Sequence, residues 1–363
     1  MALRNDSLVL RLLAGGTATY VGWQLLKSPL RADLIGQVVL VTGSSRGLGL
    51  LMAREFAREG CRLAICARDE KELEVARRDL EGRGAEVLAI PCDVADRGQV
   101  EQIIEQVTAH YGRIDVLVNN AGIIQVGPLE TMTHEDFENA MAVNFWGSVY
   151  ATLAVLPQMR ERRSGRIVNI TSIGGKVAIP HLLPYACAKF AALGFSEGLR
   201  SELAKDGISV TTIVPGLMRV GSPVNAFFKG RHELEWTWFS LGSATPATAM
   251  SAERAARRIV QATRRGEAEV TLSWQAKLLR LTHDLFPGAT ADILGLVNRV
   301  LPDAGPEDTE QVRGMKLATA VSPSPLTTLM NRAAQDTNQF GGRTEPSPEH
   351  ANQIGLESRS IAE

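Results

Sequence analysis

The chain has 363 residues, enough for one large α/β domain or two ordinary ones, so a minimal peptide module is excluded. Its formal net charge of -1 provides no global field that would attract nucleic acid or an anionic membrane. Hydrophobic residues make up 45% and charged residues 22% of the chain, which excludes a wholly disordered protein and an integral membrane bundle. The four cysteines lack metal-ligand spacing, so we expect no metal site and a reducing compartment.

The N-terminal segment, residues 1–34, contains an uncharged and mostly apolar run from Leu12 to Leu26 between basic flanks. This run is shorter than the roughly 20 apolar residues that a spanning helix needs. Two interpretations stay open: a helix that associates with a membrane surface, or one that packs on the protein or is poorly ordered. We expect a cytoplasmic protein whose candidate membrane contact is this segment.

The C-terminal tail, residues 303–363, carries nine acidic and five basic residues, a net charge of -4 that leaves +3 for the rest of the chain. It holds five prolines and a single aromatic residue, Phe340. Such a composition buries too little apolar surface to offset the entropy of ordering, which predicts a mostly disordered tail. A short helix over Met315–Ala320 or Leu326–Ala334 is a candidate docking segment within it.

Between these ends, strand-like and helix-like runs alternate along the chain. The predicted strands are 38–41, 63–66, 86–91, 115–119, 166–170, 209–214 and 269–272, and the predicted helices include 50–58, 70–82 and 100–111. Repeated β-α-β alternation with continuous apolar strands predicts a parallel sheet covered by helices on both faces. The predicted fold is α/β, a Rossmann-type doubly wound parallel β-sheet in a single domain over 35–275, with a C-terminal helical extension over 276–302.

The first predicted strand runs into a glycine-rich turn, Thr42-Gly43-Ser44-Ser45-Arg46-Gly47-Leu48-Gly49, that leads directly into a helix. Glycines at such a turn let a pyrophosphate approach the amides at the helix N-terminus, so the turn predicts a dinucleotide site.

The end of the second strand bears on the choice of nucleotide. Ala67 stands where an NAD site needs a carboxylate, whereas Arg68 and, in the turn, Arg46 offer cations to a 2′-phosphate. The pattern favours NADP(H) over NAD(H). Two alternatives stay open: Asp69 as the ribose ligand, or Arg68 and Asp69 as a solvated helix start.

A catalytic group is indicated by Ser172 at a strand end and by Tyr185 and Lys189, which follow thirteen and seventeen residues later on a predicted helix. Residues i and i+4 share a helix face, so we expect the Lys189 ammonium to lie near the Tyr185 phenol and to lower its pKa from about 10. Ser172 can then hydrogen-bond the substrate oxygen that Tyr185 protonates or deprotonates. Taken one at a time, each residue has a structural explanation: Ser172 as a turn residue, Tyr185 as a half-buried aromatic residue and Lys189 as a solvated cation on the helix surface. Their combination with the dinucleotide turn favours catalysis.

Over residues 36 to about 275 the chain resembles the short-chain dehydrogenase/reductase family. The resemblance is carried by Thr42 to Gly49, Cys92-Asp93-Val94, Asn119-Asn120-Ala121-Gly122, Val143-Asn144, Asn169 to Ser172, Tyr185 to Lys189 and Val214-Pro215-Gly216. It implies a catalytic tetrad of Asn144, Ser172, Tyr185 and Lys189. The cofactor-binding residues indicated by the turn and the resemblance are Thr42, Gly43, Ser45, Arg46, Gly47, Leu48, Gly49, Arg68, Asp93, Val94, Asn120, Ala121, Gly122, Tyr185, Lys189, Pro215 and Gly216. The threonine that the family usually has after Pro-Gly is missing, and Ser222 is the first hydroxyl that follows.

The stretch from Phe227 to Leu241 is rich in aromatic residues. Three interpretations stay open: these residues line a pocket for a bulky apolar substrate, rest on a membrane or partner, or pack on the core. His181 lies four residues before Tyr185, and we expect it to be an exposed loop residue.

The sequence thus predicts an NADP(H)-preferring oxidoreductase that interconverts a carbonyl and a secondary alcohol. We expect its partners to be an apolar small-molecule substrate and further copies of itself, with membrane-surface contact as an open alternative and no nucleic acid. The rival hypothesis is a dinucleotide-sensing or scaffold protein with vestigial chemistry, against which the complete tetrad argues.

Overall fold

The central sheet is built from apolar strands at the positions that the sequence indicates. The computed structural model of the chain describes residues 33–245, 247–305, 309–317 and 328–340. The strands in chain order are β1 Val38–Thr42, β2 Arg62–Ala67, β3 Val87–Pro91, β4 Val116–Asn119, β5 Gln125–Val126, β6 Gly165–Ile170, β7 Ile208–Val214, β8 Met218–Arg219, β9 Phe227–Phe228, β10 Met250–Ser251, β11 Glu269–Thr271 and β12 Val312–Arg313. Seven of them form a parallel sheet in the order β3-β2-β1-β4-β6-β7-β11.

Helices connect the sheet strands and extend beyond them. The described α-helices are α1 Gly47–Arg58, α2 Glu70–Glu81, α3 Arg97–Tyr111, α4 His134–Met141, α5 Gly147–Arg162, α6 Leu183–Leu203, α7 His232–Ala244, α8 Ala252–Arg265, α9 Trp274–Leu285, α10 Pro287–Asn298 and α11 Thr328–Asp336. One π-helical turn, Ala142–Trp146, joins α4 to α5. The described residues from Leu34 onward belong to one compact unit.

The sheet is covered on both faces because side chains alternate along each strand. In β1, Val39 and Val41 face a core cluster that includes α1, α2 and α8, while Val38 and Leu40 face a second cluster that includes α3, α5 and α6. The predicted doubly wound parallel sheet is confirmed.

Parts of the tail pack against this domain. Val312 and Arg313 of β12 pair antiparallel with β9, and Met330 and Ala334 of α11 are fully buried. The expectation of a mostly disordered tail largely concerns residues outside the described ranges. The α11 helix corresponds to the second of the two candidate docking segments.

The helical extension presents a broad apolar surface. Large exposed side chains on α9, α10 and the residues beside them are Trp274, Leu278, Leu281, Leu285, Phe286, Ile293, Leu296 and Val300. That this surface meets a membrane or a second copy stays a prediction, and the N-terminal segment expected to contact a membrane lies outside the described residues except for Asp33 and Leu34.

Among the described residues one helical stretch, 134–162, has the length and apolar character of a membrane span. This is weak evidence, because 44% of its most apolar part is buried in the protein and core helices pass the same test.

Candidate active site

A cavity of about 840 Å³ opens at the carboxyl ends of the sheet strands. The strand order reverses between β1 and β4, and in open α/β sheets ligands bind at such a reversal. The cavity is lined by every predicted site residue except Thr42. Thr42 supports the site from below, since its Oγ1 accepts hydrogen bonds from the backbone amides of Asn120 and Ala121 at 3.0 and 3.1 Å.

The glycine turn has the shape of a dinucleotide cradle. A Cβ on Gly43 would lie 2.7 Å from Ala121 Cα, and a Cβ on Gly49 would lie 2.2 Å from the carbonyl oxygen of Gly43. Gly43 also adopts a left-handed φ of +63°. Glycine at these two positions lets the first turn of α1 pack against the loop after β4, and the residues present fit a bound dinucleotide.

The two arginines proposed for a 2′-phosphate both line the cavity, and both face carboxylates. Arg46 Nη1 lies 2.7 Å from Glu72 Oε1, and Arg68 lies 3.8 Å from Asp93. Asp69 accepts hydrogen bonds from the backbone amides at the start of α2, so its carboxylate caps that helix. In this structure Asp69 thus acts as the cap at the start of α2, which is one of the two alternatives left open by the sequence.

The predicted tetrad converges on the cavity from three elements. Asn144 lies in the π-helical turn, where it accepts a hydrogen bond from the Ile123 amide at 3.2 Å and donates one to the Ile123 carbonyl at 3.1 Å. π-Helical turns often occur at functional sites because they re-aim one side chain within a helix. Lys189 Nζ donates to the carbonyl oxygen of Ile170 at 3.0 Å. A Cβ on Gly122 would lie 2.6 Å from Asn144 Oδ1 and 3.6 Å from Lys189 Nζ, so these three residues meet.

Tyr185 and Ser172 form the other half of the group. Burial raises the pKa of the Tyr185 phenol, and a hydrogen bond with Ser172 opposes that rise. Burial also lowers the pKa of Lys189 to about 8. The Lys189 ammonium lies 5.7 Å from the centre of the Tyr185 ring. The expectation of a tyrosine pKa below its ordinary value is therefore wrong for this structure, because desolvation outweighs the other influences on the phenol.

The aromatic stretch divides between the cavity and the core. Phe227, Trp238 and Phe239 line the cavity. Phe228 and Trp236 are buried in an apolar cluster that also includes Phe239. The packing interpretation thus holds for Phe228, Trp236 and Phe239, and a bulky apolar substrate beside the cavity-lining aromatic residues stays a prediction.

His181 is not the exposed loop residue that we expected. Its side chain is buried, and its Nδ1 lies 2.8 Å from Glu235 Oε1. Trp238 Nε1 donates to the other oxygen of Glu235 at 2.7 Å. The loop turns inward at His181 through a left-handed φ of +63°, so the histidine holds the carboxylate that positions a cavity-lining tryptophan.

Comparison with known proteins assigns the chain to a family. A family model described as "short chain dehydrogenase" matches residues 37–227. The chain belongs to the short-chain dehydrogenase/reductase family. It is 40% identical over 248 residues to a "Dehydrogenase/reductase SDR family protein 7-like" of Anopheles gambiae, covering 66% of this chain and 76% of that one. It is 37% identical over 202 residues to a "Putative ketoacyl reductase" of Streptomyces coelicolor, covering 55% and 77%. A crystal structure of a short-chain dehydrogenase from Streptomyces avermitilis aligns with a TM-score of 0.63 at 31% identity, covering 73% of this chain and 98% of that one.

As a family member the chain is an oxidoreductase of small-molecule carbonyls and alcohols, which uses NAD(P)(H). In the described part of the chain no group of three or more His, Cys, Asp and Glu side chains could hold a metal ion. Among the cavity-lining residues that the sequence analysis did not single out, three are polar side chains near the glycine turn or in the tail: Glu72, Arg313 and Gln339. Glu72 follows the α2 cap at the N3 position, where an acid is often found, so a capping pattern could have indicated it. Arg313 and Gln339 lie in the tail, beyond the matched region, and no motif marks them.

Proposed function

We propose that the protein interconverts a carbonyl and a secondary alcohol by hydride transfer, with NADP(H) preferred over NAD(H). The observation that carries the proposal is the convergence of Ser172, Tyr185, Lys189 and Asn144 on the cavity that the glycine turn also lines. A sensor or scaffold has no need for this combination of acid/base and positioning groups.

Each residue of the tetrad has a chemical role in this proposal. The nicotinamide, when bound, supplies or accepts the hydride. Tyr185 Oη gives a proton to the substrate oxygen or takes one from it, and the Ser172 hydroxyl orients that oxygen. Lys189 places a cation beside the phenol, and Asn144 fixes the backbone of Ile123 at the same wall of the cavity.

The cofactor preference is supported by the absence of a carboxylate at Ala67 and by the position of Arg46 and Arg68 on the cavity wall. Ser222 also lines the cavity and is our candidate for contact with the carboxamide, in place of the usual threonine. The remaining cofactor residues are proposed to act as their motifs imply.

A bulky apolar substrate is supported by a set of apolar side chains in the cavity lining. They are Ile179, Leu182, Phe227, Trp238, Phe239 and Leu279. The ketoacyl reductase that the chain resembles is named for an acyl ketone, which is compatible with a carbonyl on an apolar chain.

The test is the Tyr185→Phe variant of the full chain, assayed with NADPH against aromatic, steroid, retinoid and long-chain carbonyls. We expect loss of turnover with nearly unchanged NADPH binding, because only the phenolic hydroxyl group is removed. Tyr150→Phe is the matched control, since Tyr150 packs on Trp146 away from the cavity lining. Turnover retained in Tyr185→Phe would exclude the proposed acid/base. A wild-type protein that binds NADPH but turns over none of the panel would favour the scaffold hypothesis.

A further inference from the structure

At the adenosine end of the cavity, carboxylates outnumber the two arginines that the sequence singles out. Glu72 pairs with Arg46, Asp93 lies beside Arg68, and Asp69 caps α2 between them. Two guanidiniums against three carboxylates leave one negative charge in excess. Such a surface opposes the approach of a phosphate dianion unless a further cation is present.

A third arginine reaches the same cavity from the tail. Arg313 of β12 pairs with Phe227 of β9, and its guanidinium carbon lies 5.3 Å from the centre of the Phe227 ring. The side chain lines the cavity together with Arg46. Burial, and then the charge of Arg313, lower the pKa of Arg46, while the charge of Glu72 raises it. Within the described residues Arg313 forms no ion pair and is held by an aromatic face instead.

A second part of the tail fixes this arrangement on the glycine turn. The amide of Gly47 donates to the carbonyl oxygen of Thr337 at 2.8 Å. The Asn338 side-chain amide donates to the carbonyl oxygens of Ser45 at 2.9 Å and Glu72 at 3.2 Å. The tail thus bridges the turn and the first turn of α2, the two elements that carry Arg46 and its partner.

We propose that Arg313 contacts the 2′-phosphate of NADP(H), so that the tail supplies a specificity-determining residue of the cofactor site. The inference rests on the proposed NADP(H) preference and deepens it. Arg46 and Arg68 already face the carboxylates of Glu72 and Asp93, whereas Arg313 faces an aromatic ring and keeps its guanidinium donors for a phosphate. Its charge also removes the excess of carboxylates.

The experiment compares dissociation constants for NADPH and NADH in the full chain and in Arg313→Gln, at one fixed ionic strength. We expect the variant to bind NADPH about tenfold more weakly, the size of one lost charge-assisted contact, and NADH with less than about a twofold change. Lys316→Gln is the matched control, because Lys316 is an exposed cation three residues away that does not line the cavity. Arg313→Lys keeps the charge and should recover part of the NADPH affinity.

The outcomes separate this inference from the proposed function. A wild-type protein that prefers NADPH, together with an Arg313→Gln variant that keeps the same preference, overturns the inference and leaves the function intact. Equal weakening of NADPH and NADH also overturns it, because the tail would then be a structural support. If the wild-type protein itself binds the two nucleotides equally, the preference and the inference fail together.

Discussion

Arg46 is held by both oxygens of Glu72, with its Nη1 at 2.7 Å from Oε1 and 2.8 Å from Oε2. Burial raises the pKa of Glu72 and lowers the pKa of Arg46, because it disfavours the charged form of each group. The attraction between the two charges offsets part of this cost of burial. A 2′-phosphate must compete with Glu72 for the guanidinium. Under the proposed NADP(H) preference, discrimination between the two nucleotides depends on how strongly the Glu72 carboxylate and the 2′-phosphate each bind the Arg46 guanidinium.

The first prediction concerns Glu72→Gln. The amide keeps the size of the side chain but removes the competing charge, so we expect NADP(H) to bind about tenfold more tightly, with little change for NAD(H). Titration of both nucleotides measures the difference. Glu70→Gln is the control, since Glu70 is an exposed acid on the first turn of the same helix. Unchanged NADPH affinity in Glu72→Gln would show that Arg46 does not bind the 2′-phosphate.

The second prediction compares two helical glycines. A Cβ on Gly49 would lie 2.2 Å from the Gly43 carbonyl oxygen and 2.6 Å from Asn120 Nδ2, whereas a Cβ on Gly194 meets nothing within 4 Å. We expect Gly49→Ala to lower the free energy of unfolding by about 3 kcal/mol and to abolish nucleotide binding. Gly194→Ala should raise it by up to about 1 kcal/mol through helix propensity. Urea unfolding of both variants, fitted with one common dependence of the free energy on urea concentration, measures the difference in stability. Similar urea midpoints for Gly49→Ala and Gly194→Ala would contradict the steric argument.

The third prediction concerns the buried cation Lys189, whose pKa is lowered from 10.5 to about 8. Above pH 8 the unfolded chain holds the lysine proton while the folded protein releases it, so stability must rise with pH relative to a variant without the amine. Between pH 8 and 9.5 we expect the wild-type free energy of unfolding to gain about 1.5 kcal/mol over Lys189→Met.

Below about pH 7 the two proteins should show the same dependence on pH, because Lys189 is then charged in both states. Lys205→Met, which removes an exposed cation just after α6, should follow the wild-type curve throughout. Parallel curves for wild type and Lys189→Met between pH 8 and 9.5 would refute the lowered pKa.

The fourth prediction concerns Glu235, whose side chain is fully buried. Replacement by alanine leaves His181 Nδ1 and Trp238 Nε1 without their partner, which should lower the free energy of unfolding by about 3 kcal/mol. Glu233→Ala, an exposed position on the same turn, should be close to neutral. A loss in Glu235→Ala no larger than in Glu233→Ala would show that the network contributes nothing to stability.

The sheet could be predicted because its strands are continuous apolar runs, and the glycine turn could be placed because it lies between a strand and a helix. The tetrad residues follow from motifs, but their electrostatics do not. The pKa of Tyr185 depends on how deeply the phenol is buried, and no spacing along the chain reports burial. His181 shows the same limit, since a polar loop residue becomes a core residue only when Glu235 is folded beneath it.

The tail could not be placed from sequence for a different reason. Its polar and proline-rich composition indicates disorder, yet Met330 and Ala334 of α11 are buried, and the carbonyl oxygen of Thr337, just after α11, accepts a hydrogen bond from the Gly47 amide. The β9–β12 pairing spans only two residues in each strand, too few for any periodicity to appear. Such contacts join parts of the chain that are far apart in sequence, and local sequence patterns do not predict them.

The bond between Asn338 and Ser45 joins positions 293 residues apart in the chain. A ribosome adding about 5–20 residues per second needs roughly 15–60 s to travel between them. For most of that interval the growing polypeptide has its glycine turn but not Arg313, and until the interval ends it lacks Asn338. The contacts between the tail and the glycine turn can therefore form only after residue 338 has been added to the chain.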